Sequence, residues 1–337
     1  MTRKTDGEDL RTCVVSDGEC EAPAGYGIGG GGGHSSGDKP TRSTCHACGE
    51  PVCKKCSRLR TWRGKQRRRV CRTCDEDERK NMTFTTRGAD LRRLNSLTKY
   101  PSIPTYHTLG EKGALLDEHV AFNGTVFGTE KIDGTNGRIV FLPDGMWIIG
   151  SREEFLLARG DLIGNPALGI AEALAAEAEK LAPKFCQGIN VLYVEVFGGT
   201  TTAQAKQYTS KKAVSFRVFD LAVIRNHENL LAKTPEQIAS WREAGGQQFL
   251  PVDDLVRSAR QYGLETVPAI FEIEAVELPR TVDETHAFLR ERLTTTRCKL
   301  DEGAGGKPEG VVIRTFDRRV IAKLRFEDYE LAAKRRR

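Results

Sequence analysis

The sequence predicts an α+β protein: a larger domain of antiparallel sheets flanked by helices, preceded by a small metal-dependent module. Three observations carry this expectation. Runs rich in Val, Ile and Phe mix with helical stretches but lack the regular strand and helix alternation of a doubly wound sheet. Six of the ten cysteines fall between Cys45 and Cys74, in three pairs of the form C-x2-C. The 337 residues, 39% hydrophobic and 29% charged, are enough to bury a sizeable core and suggest two domains.

Taken from the N-terminus, residues 1–44 read as a largely flexible segment. Between Gly25 and Gly33 seven of nine residues are glycine, which gives high chain entropy and no side chains to pack. Residues 45–78 form the cysteine module, 79–96 a linker rich in charge, and 97–337 an ordinary globular domain. Within it, Arg138 to Phe141, Met146 to Ile149, Val191 to Phe197, Val214 to Ile224, Val311 to Arg314 and Arg319 to Leu324 read as strands. Leu168 to Leu181, Pro235 to Ala244 and Asp283 to Leu293 read as helices, the first from apolar residues at helical spacing. No internal repeat is evident.

Charge is unevenly spread. Residues 1–96 carry 20 lysines and arginines against 13 acids, whereas the rest carries 32 against 33. The excess peaks between Arg42 and Arg72, where eleven basic residues face the single acid Glu50, a balance suited to phosphate-rich partners. No apolar run approaches the roughly 18 residues of a membrane span, and the opening residues lack the apolar stretch of a secretory signal. The expectation is an intracellular protein with no transmembrane segment.

In a reducing compartment, clustered thiols point to metal rather than disulfides. Cys45 with Cys48, Cys53 with Cys56, and Cys71 with Cys74 each leave two residues between ligands, which lets a tight turn aim both sulfurs at one tetrahedral zinc. Six thiols leave one of two four-ligand sites half filled. Cys13 and Cys20 are the only remaining nearby pair.

The run Cys-His-Ala-Cys-Gly-Glu-Pro-Val-Cys-Lys-Lys-Cys-Ser at 45–57, with Arg-Val-Cys-Arg-Thr-Cys at 69–74, resembles the latter three cysteine pairs of FYVE-type zinc fingers. The resemblance implies a cross-brace with two Zn²⁺: Cys45, Cys48, Cys71 and Cys74 on one, and Cys53, Cys56, Cys13 and Cys20 on the other. The family spaces its first pair by two residues and this chain by six. The Trp-x-x-Asp and the paired His with which FYVE domains read a phosphoinositide are missing, so phosphoinositide binding is not expected. Lys54, Lys55, Arg58, Arg60, Arg63, Lys65, Arg67, Arg68 and Arg69, with Trp62 among them as a stacking platform, suit a nucleic-acid backbone. The bland alternative is a solvated basic face.

A second constellation lies in the larger domain. Glu130-Lys131-Ile132-Asp133-Gly134-Thr135-Asn136 follows a β-like stretch and precedes a strand. A nucleophilic lysine attacks as the neutral amine, which cationic neighbours and a bound metal favour. The motifs that follow stand in a telling order: Gly150-Ser151-Arg152, Val194-Glu195-Val196-Phe197-Gly198, Ser215-Phe216-Arg217-Val218-Phe219-Asp220, Glu309-Gly310-Val311-Val312-Ile313-Arg314 and Ala322-Lys323-Leu324-Arg325. With Lys-x-Asp-Gly-x-Asn they resemble, in family order, the motifs of the covalent nucleotidyltransferases, specifically the second family of RNA ligases.

That resemblance covers nearly all of residues 97–337. It implies an ATP-grasp-like nucleotidyltransferase domain that adenylates itself at Lys131 and then joins 5′-phosphate and 3′-hydroxyl ends. Lys323, and Arg325 where the family usually has a second lysine, would neutralise the α-phosphate. Glu195 and Glu309 are hard oxygen ligands suited to Mg²⁺. Phe216, with Phe219 as the alternative, would stack on adenine, and Glu130 would lie beside the purine. Asp133 and Gly134 belong to the nucleophile motif, and Asn136, Arg152 and Arg314 would contact ribose and phosphates. Taken singly, Glu195 and Glu309 read as strand-end surface carboxylates, Phe216 as core and Lys323 as an ordinary edge-strand lysine. Six motifs in sequence outweigh those readings.

ATP, Mg²⁺ and two Zn²⁺ are thus the expected cofactors, and nucleic acid with 5′-phosphate ends, RNA above DNA, is the expected partner. The chain ends twelve residues after Arg325, which argues against the trailing OB-fold of DNA ligases and capping enzymes. Two rival functions stand beside this one: an adenylyltransferase acting on a protein or small molecule, and a zinc-finger adapter with an inactive nucleotide-binding domain.

Overall fold

The computed structural model describes residues 85–335, apart from 160, 165–168 and 186, and by backbone alone two strands further upstream. The chain divides into two compact units, Met1–Thr85 and Thr86–Arg337. In the first, β1 (Ser57–Trp62) and β2 (Gln66–Cys71) form an antiparallel hairpin with Ser57 opposite Cys71. The expectations for residues 1–44, and for the side chains of Cys13, Cys20, Cys45, Cys48, Cys53, Cys56, Cys71 and Cys74, lie outside the described residues.

The second unit opens on α1 (Leu91–Thr98), where the Asp90 carboxylate accepts from the N–H groups of Arg92 and Arg93 and so caps the first turn. Leu94 and Leu97 are fully buried. The stretch from Leu91 therefore belongs to the globular unit and not to a linker running to residue 96. Its charged composition hid two leucines at helical spacing.

In chain order there follow β3 (His107–Leu109), β4 (Leu115–His119), β5 (Thr125–Lys131), β6 (Thr135–Phe141), β7 (Trp147–Ser151), β8 (Phe155–Ala158) and β9 (Asp161–Leu162). Then come α2 (Ile170–Leu181), β10 (Ile189–Gly198), β11 (Val214–Ile224), α3 (His227–Leu231), α4 (Pro235–Glu243) and α5 (Val252–Tyr262). The unit closes with β12 (Ala269–Glu274), α6 (Val282–Arg292), β13 (Gly310–Thr315), β14 (Ile321–Arg325) and α7 (Phe326–Arg335). Every strand expected from the sequence forms, and β11 has the expected bounds. The helices α4 and α6 start where Thr234 with Gln237 and Thr281 with Glu284 make capping boxes.

Two sheets dominate, and the pairings within both are antiparallel, as the α+β reading expects. A six-stranded sheet runs β11-β10-β6-β7-β8-β9 and a four-stranded sheet β12-β5-β13-β14. One face of the larger sheet, with Ile139, Ile149, Leu192, Val194 and Val196, packs on α2 and α5. One face of the smaller sheet, with Val126, Val311, Ile313, Ala322 and Leu324, packs on α6 and α7. Period-2 alternation sends the residues between these to the opposite faces, and those faces hold the polar side chains of the motifs.

Candidate active site

A cavity of about 450 Å³ is lined by residues of both sheets. In the smaller sheet the register sets Lys131 and Arg325 on either side of Gly310, and Thr129 and Lys323 on either side of Val312. These two rows lie two residues apart on each strand and therefore share one face. A Cβ on Gly310 would sit 2.0 Å from the Leu324 carbonyl oxygen, so glycine is the residue that lets β13 lie flat between the two cations. In the larger sheet Glu195 pairs with Asn136 across β10 and β6.

The charged centre is built from these rows. The Lys131 Nζ lies 2.6 Å from the Glu309 carboxylate. Glu195, instead of ending a strand, sits seven residues into β10 among side chains that are otherwise buried. Burial pushes its carboxyl up to about 8; Lys131 pulls it down and Glu309 pushes it further up, while the Gly134 N–H donates to it. Burial also raises Glu309, with Lys131 as its main counterweight. The Lys323 ammonium is held below the usual lysine range by burial and by the cations Arg325, Lys131 and Arg152. Glu195 and Glu309 thus share one cavity with the cations Lys131, Arg152, Lys323 and Arg325.

Gly134 is tied to this arrangement. A Cβ there would lie 2.4 Å from the Val196 carbonyl oxygen, so the turn between β5 and β6 crosses β10 closely enough to donate to Glu195. The same turn is held from beyond, because the Asp133 N–H donates to the Tyr208 hydroxyl at 2.6 Å. Glu130 lies on the opposite face of β5, 1% exposed, and accepts from the Thr296 hydroxyl and the Arg297 N–H. Its carboxylate anchors the loop before β13.

The aromatic wall comes from a β-bulge. Tyr193 pairs with Asp220 and Val194 with Val218, which leaves Phe219 as the extra residue on β11. Such a bulge switches the alternation and re-aims a side chain. Before it Phe216 and Val218, and after it Leu221 and Val223, pack into the core beneath the larger sheet. Phe219 turns to the cavity. Phe216, expected to stack on adenine, is therefore half-buried against the core, and of the two phenylalanines it is the alternative, Phe219, that borders the cavity.

Arg314 borders the cavity and is also tied to the aromatic wall. It is 3% exposed, donates to the Phe219 carbonyl at 3.1 Å and approaches Asp220 at 3.4 Å. Asp220 accepts in addition from Arg318 Nε at 2.8 Å and from the Tyr100 hydroxyl at 2.6 Å. Arg314 thus fixes the bulge that presents Phe219. Arg325 donates through Nε and Nη2 to both oxygens of Asp328, a bidentate clamp that a lysine could not reproduce. Arg152 follows Gly150, where a Cβ would stand 3.0 Å from Nε of the buried Arg138, and Arg138 in turn donates to the Arg152 carbonyl.

Lys131, Glu130, Gly134, Asn136, Arg152, Glu195, Phe219, Glu309, Arg314, Lys323 and Arg325 all border the cavity, whereas Asp133 and Phe216 do not. Tyr100, Pro101, Ile103, Thr129 and Val267 border it as well and carry no motif signal. Ile103 belongs to a strap along the edge of β14, where Lys323 N–H donates to the Pro104 carbonyl and Tyr106 N–H to the Lys323 carbonyl. Among the described residues no three His, Cys, Asp or Glu side chains cluster as a metal-ligand set. Glu195 and Glu309 alone would hold a divalent cation, with the remaining ligands from phosphate and water, a donor set that fits Mg²⁺.

The sequence matches the model of the RNA ligase family over residues 124–325. The chain belongs to the RNA ligase family. Solved structures similar to this family member include two forms of an archaeal ATP-dependent RNA ligase. Form 2 is 19% identical, with 68% of this chain and 49% of that one covered and a TM-score of 0.44. Form 1 is 20% identical, with 71% and 50% covered and a TM-score of 0.43. The chain thus spans about half the length of the archaeal enzymes. A Naegleria gruberi RNA ligase mutant with ATP and Mn is 13% identical, with 86% and 79% covered and a TM-score of 0.44. No curated protein matches the sequence. Among the described residues no helix is long and apolar enough to cross a membrane.

Proposed function

We propose that this family member is an ATP-dependent RNA ligase that works through a lysyl-AMP intermediate. The observation that carries the reading is the meeting, at one cavity, of Lys131 with Glu195, Glu309, Lys323 and Arg325. Lys131 Nζ attacks the ATP α-phosphorus, a P–N bond forms and the bond to pyrophosphate breaks. A 5′-phosphate oxygen then takes the AMP from the lysine, and a 3′-hydroxyl attacks the activated end and expels AMP.

The chain's own residues account for each requirement. Phe219 supplies a ring face for adenine. Lys323, whose side chain has no ion-pair partner among the described residues, is free to meet the α-phosphate. Glu309 touches the amine and is the acceptor at hand for its proton. Glu195 and Glu309 would hold Mg²⁺, which when bound offsets the charge of the phosphates and of the leaving pyrophosphate. Asn136 and Arg152 border the cavity where ribose and phosphate would lie.

The reading extends to the N-terminal unit as a module with two Zn²⁺ that holds nucleic acid. It is supported by the hairpin that starts directly after Cys56 and ends on Cys71, with Ser57 and Cys71 paired.

The test begins with enzyme adenylated by ATP and Mg²⁺. Offered 5′-phosphorylated RNA, single-stranded or nicked in a duplex, it should lose AMP to the RNA and seal ends. Retention of AMP with every nucleic acid offered would redirect the reading to a different acceptor. Lys131→Ala should form no adduct.

A further inference from the structure

The mechanism leaves unused a group of lysines on two loops beside the cavity. Residues 199–213, between β10 and β11, contain Lys206, Lys211 and Lys212 and no acid. Residues 294–308, before β13, add Arg297, Lys299 and Lys307 against Asp301 and Glu302. All five lysines are exposed. Among the described residues only Lys307 has an ion-pair partner, Glu330 at 3.7 Å.

The two loops are stapled into one surface. Leu300 N–H donates to the Tyr208 carbonyl at 2.7 Å, and Gly305 and Gly306 N–H donate to the carbonyls of Lys206 and Gln207 at 2.9 Å each. Lys307 N–H donates to the Gln207 side chain at 2.9 Å. Asp301 accepts from the Thr209 and Ser210 hydroxyls and from the N–H groups of Ser210 and Gly303. The Lys299 amine folds close over Gly306. Lys212 has a φ of 58°, a left-handed backbone that lysine adopts at a cost. The Thr209 hydroxyl supports this turn by accepting from the Lys211 and Ala213 N–H groups.

The surface is also fastened to the nucleophile's turn. Tyr208 takes the Asp133 N–H, the Thr202 hydroxyl donates to the Asp133 carbonyl at 3.2 Å, and Lys307 precedes Glu309 by two residues. A ligand lying on these loops would therefore run to the edge of the cavity.

We propose that the stapled loops are a landing surface for the phosphate backbone of the RNA strand that receives AMP. This deepens the ligase reading and rests on it. Repeated single cations on a hydrogen-bonded polar frame match evenly spaced phosphates, and their fixed geometry saves the ordering cost of a flexible basic tail.

The test uses the full chain with Lys206→Glu, Lys211→Glu and Lys299→Glu combined. Lys180→Glu with Lys184→Glu and Arg260→Glu, on the side of the larger sheet covered by α2 and α5, is the charge-matched control. Binding of a 5′-phosphorylated single-stranded RNA, followed by fluorescence anisotropy over a KCl series, should weaken at least tenfold in the triple variant. The dependence on salt should become shallower by about 0.7 for each phosphate no longer neutralised. AMP transfer to that RNA should slow by a similar factor, and self-adenylation should be unchanged.

Equal RNA affinity in triple variant and wild type would overturn the proposal. So would unchanged RNA binding with lost binding of a polyglutamate peptide, which would assign the surface to an acidic protein. Should the triple variant fail to fold, the same three positions as alanine should still weaken binding at least threefold. Absence of self-adenylation in the wild type would sink the ligase reading, while the anisotropy measurement would still judge the surface.

Discussion

Glu195 is an acid within a strand whose other nine residues are buried, and its burial makes stability depend on pH in a direction that can be worked out. Its folded value, about 8, lies above the unfolded glutamate value of about 4.3. The neutral form is therefore favoured in the folded state. That contribution is complete below about pH 4 and is lost as pH rises through about 8. Without divalent cations, we expect the Tm to fall from pH 5 to pH 9 by an amount worth a few kcal/mol, on the order of the linkage for a shift of this size. Glu195→Gln should flatten the fall and melt above wild type at pH 9. Mg²⁺ should stabilise the wild type more at high pH than at low, and the variant little. A wild-type Tm that rises with pH over this range would contradict the burial argument.

At the scale of elements, the bulge in β11 separates two phenylalanines that look interchangeable in the sequence. Phe219→Ala should raise the KM for ATP about tenfold, since a base stack is worth about 1–3 kcal/mol, with a small change in Tm. Phe216→Ala should do the reverse, losing about 2–3 kcal/mol of stability by opening the core with KM nearly unchanged. Equal KM effects would mean that both rings reach the nucleotide. The strap before β3 makes a second element-scale case. Its Tyr100 hydroxyl joins Asp220 and also accepts from Arg318 Nη2 at 2.6 Å. Tyr100→Phe leaves buried charged groups short of a partner and should cost about 1–3 kcal/mol in denaturant unfolding, together with a higher KM for ATP through the loosened Phe219 wall. Neither element was legible beforehand. A bulge leaves no mark in alternating apolar residues, and Tyr100 stands outside every motif. The meeting of Lys131, Lys323 and Glu309 at one cavity was legible because residue type and motif order pointed to it. The tie of Arg314 to Asp220 and to the Phe219 carbonyl was not legible, because those partners are distant in the sequence.

For the whole molecule, both sheets, the cavity and every residue placed around it lie in the unit Thr86–Arg337. The cysteines assigned to zinc lie in Met1–Thr85. A chain beginning at Thr86 should therefore keep self-adenylation, while the intact protein should carry two zinc ions by elemental analysis and the shortened one none. Zinc in the shortened chain, or none in the intact one, would contradict that division. The charge asymmetry and the cysteine spacing made this two-part organisation readable. The boundary was placed too late because the helix Leu91–Thr98 hides its buried leucines among arginines. The central claim is that the Lys131 amine becomes bonded to phosphorus. Incubation with ATP and Mg²⁺, followed by digestion and mass spectrometry, should find AMP on the peptide containing Lys131 and should find it removed by added pyrophosphate. An unmodified Lys131 peptide, or AMP carried on another residue, would contradict it.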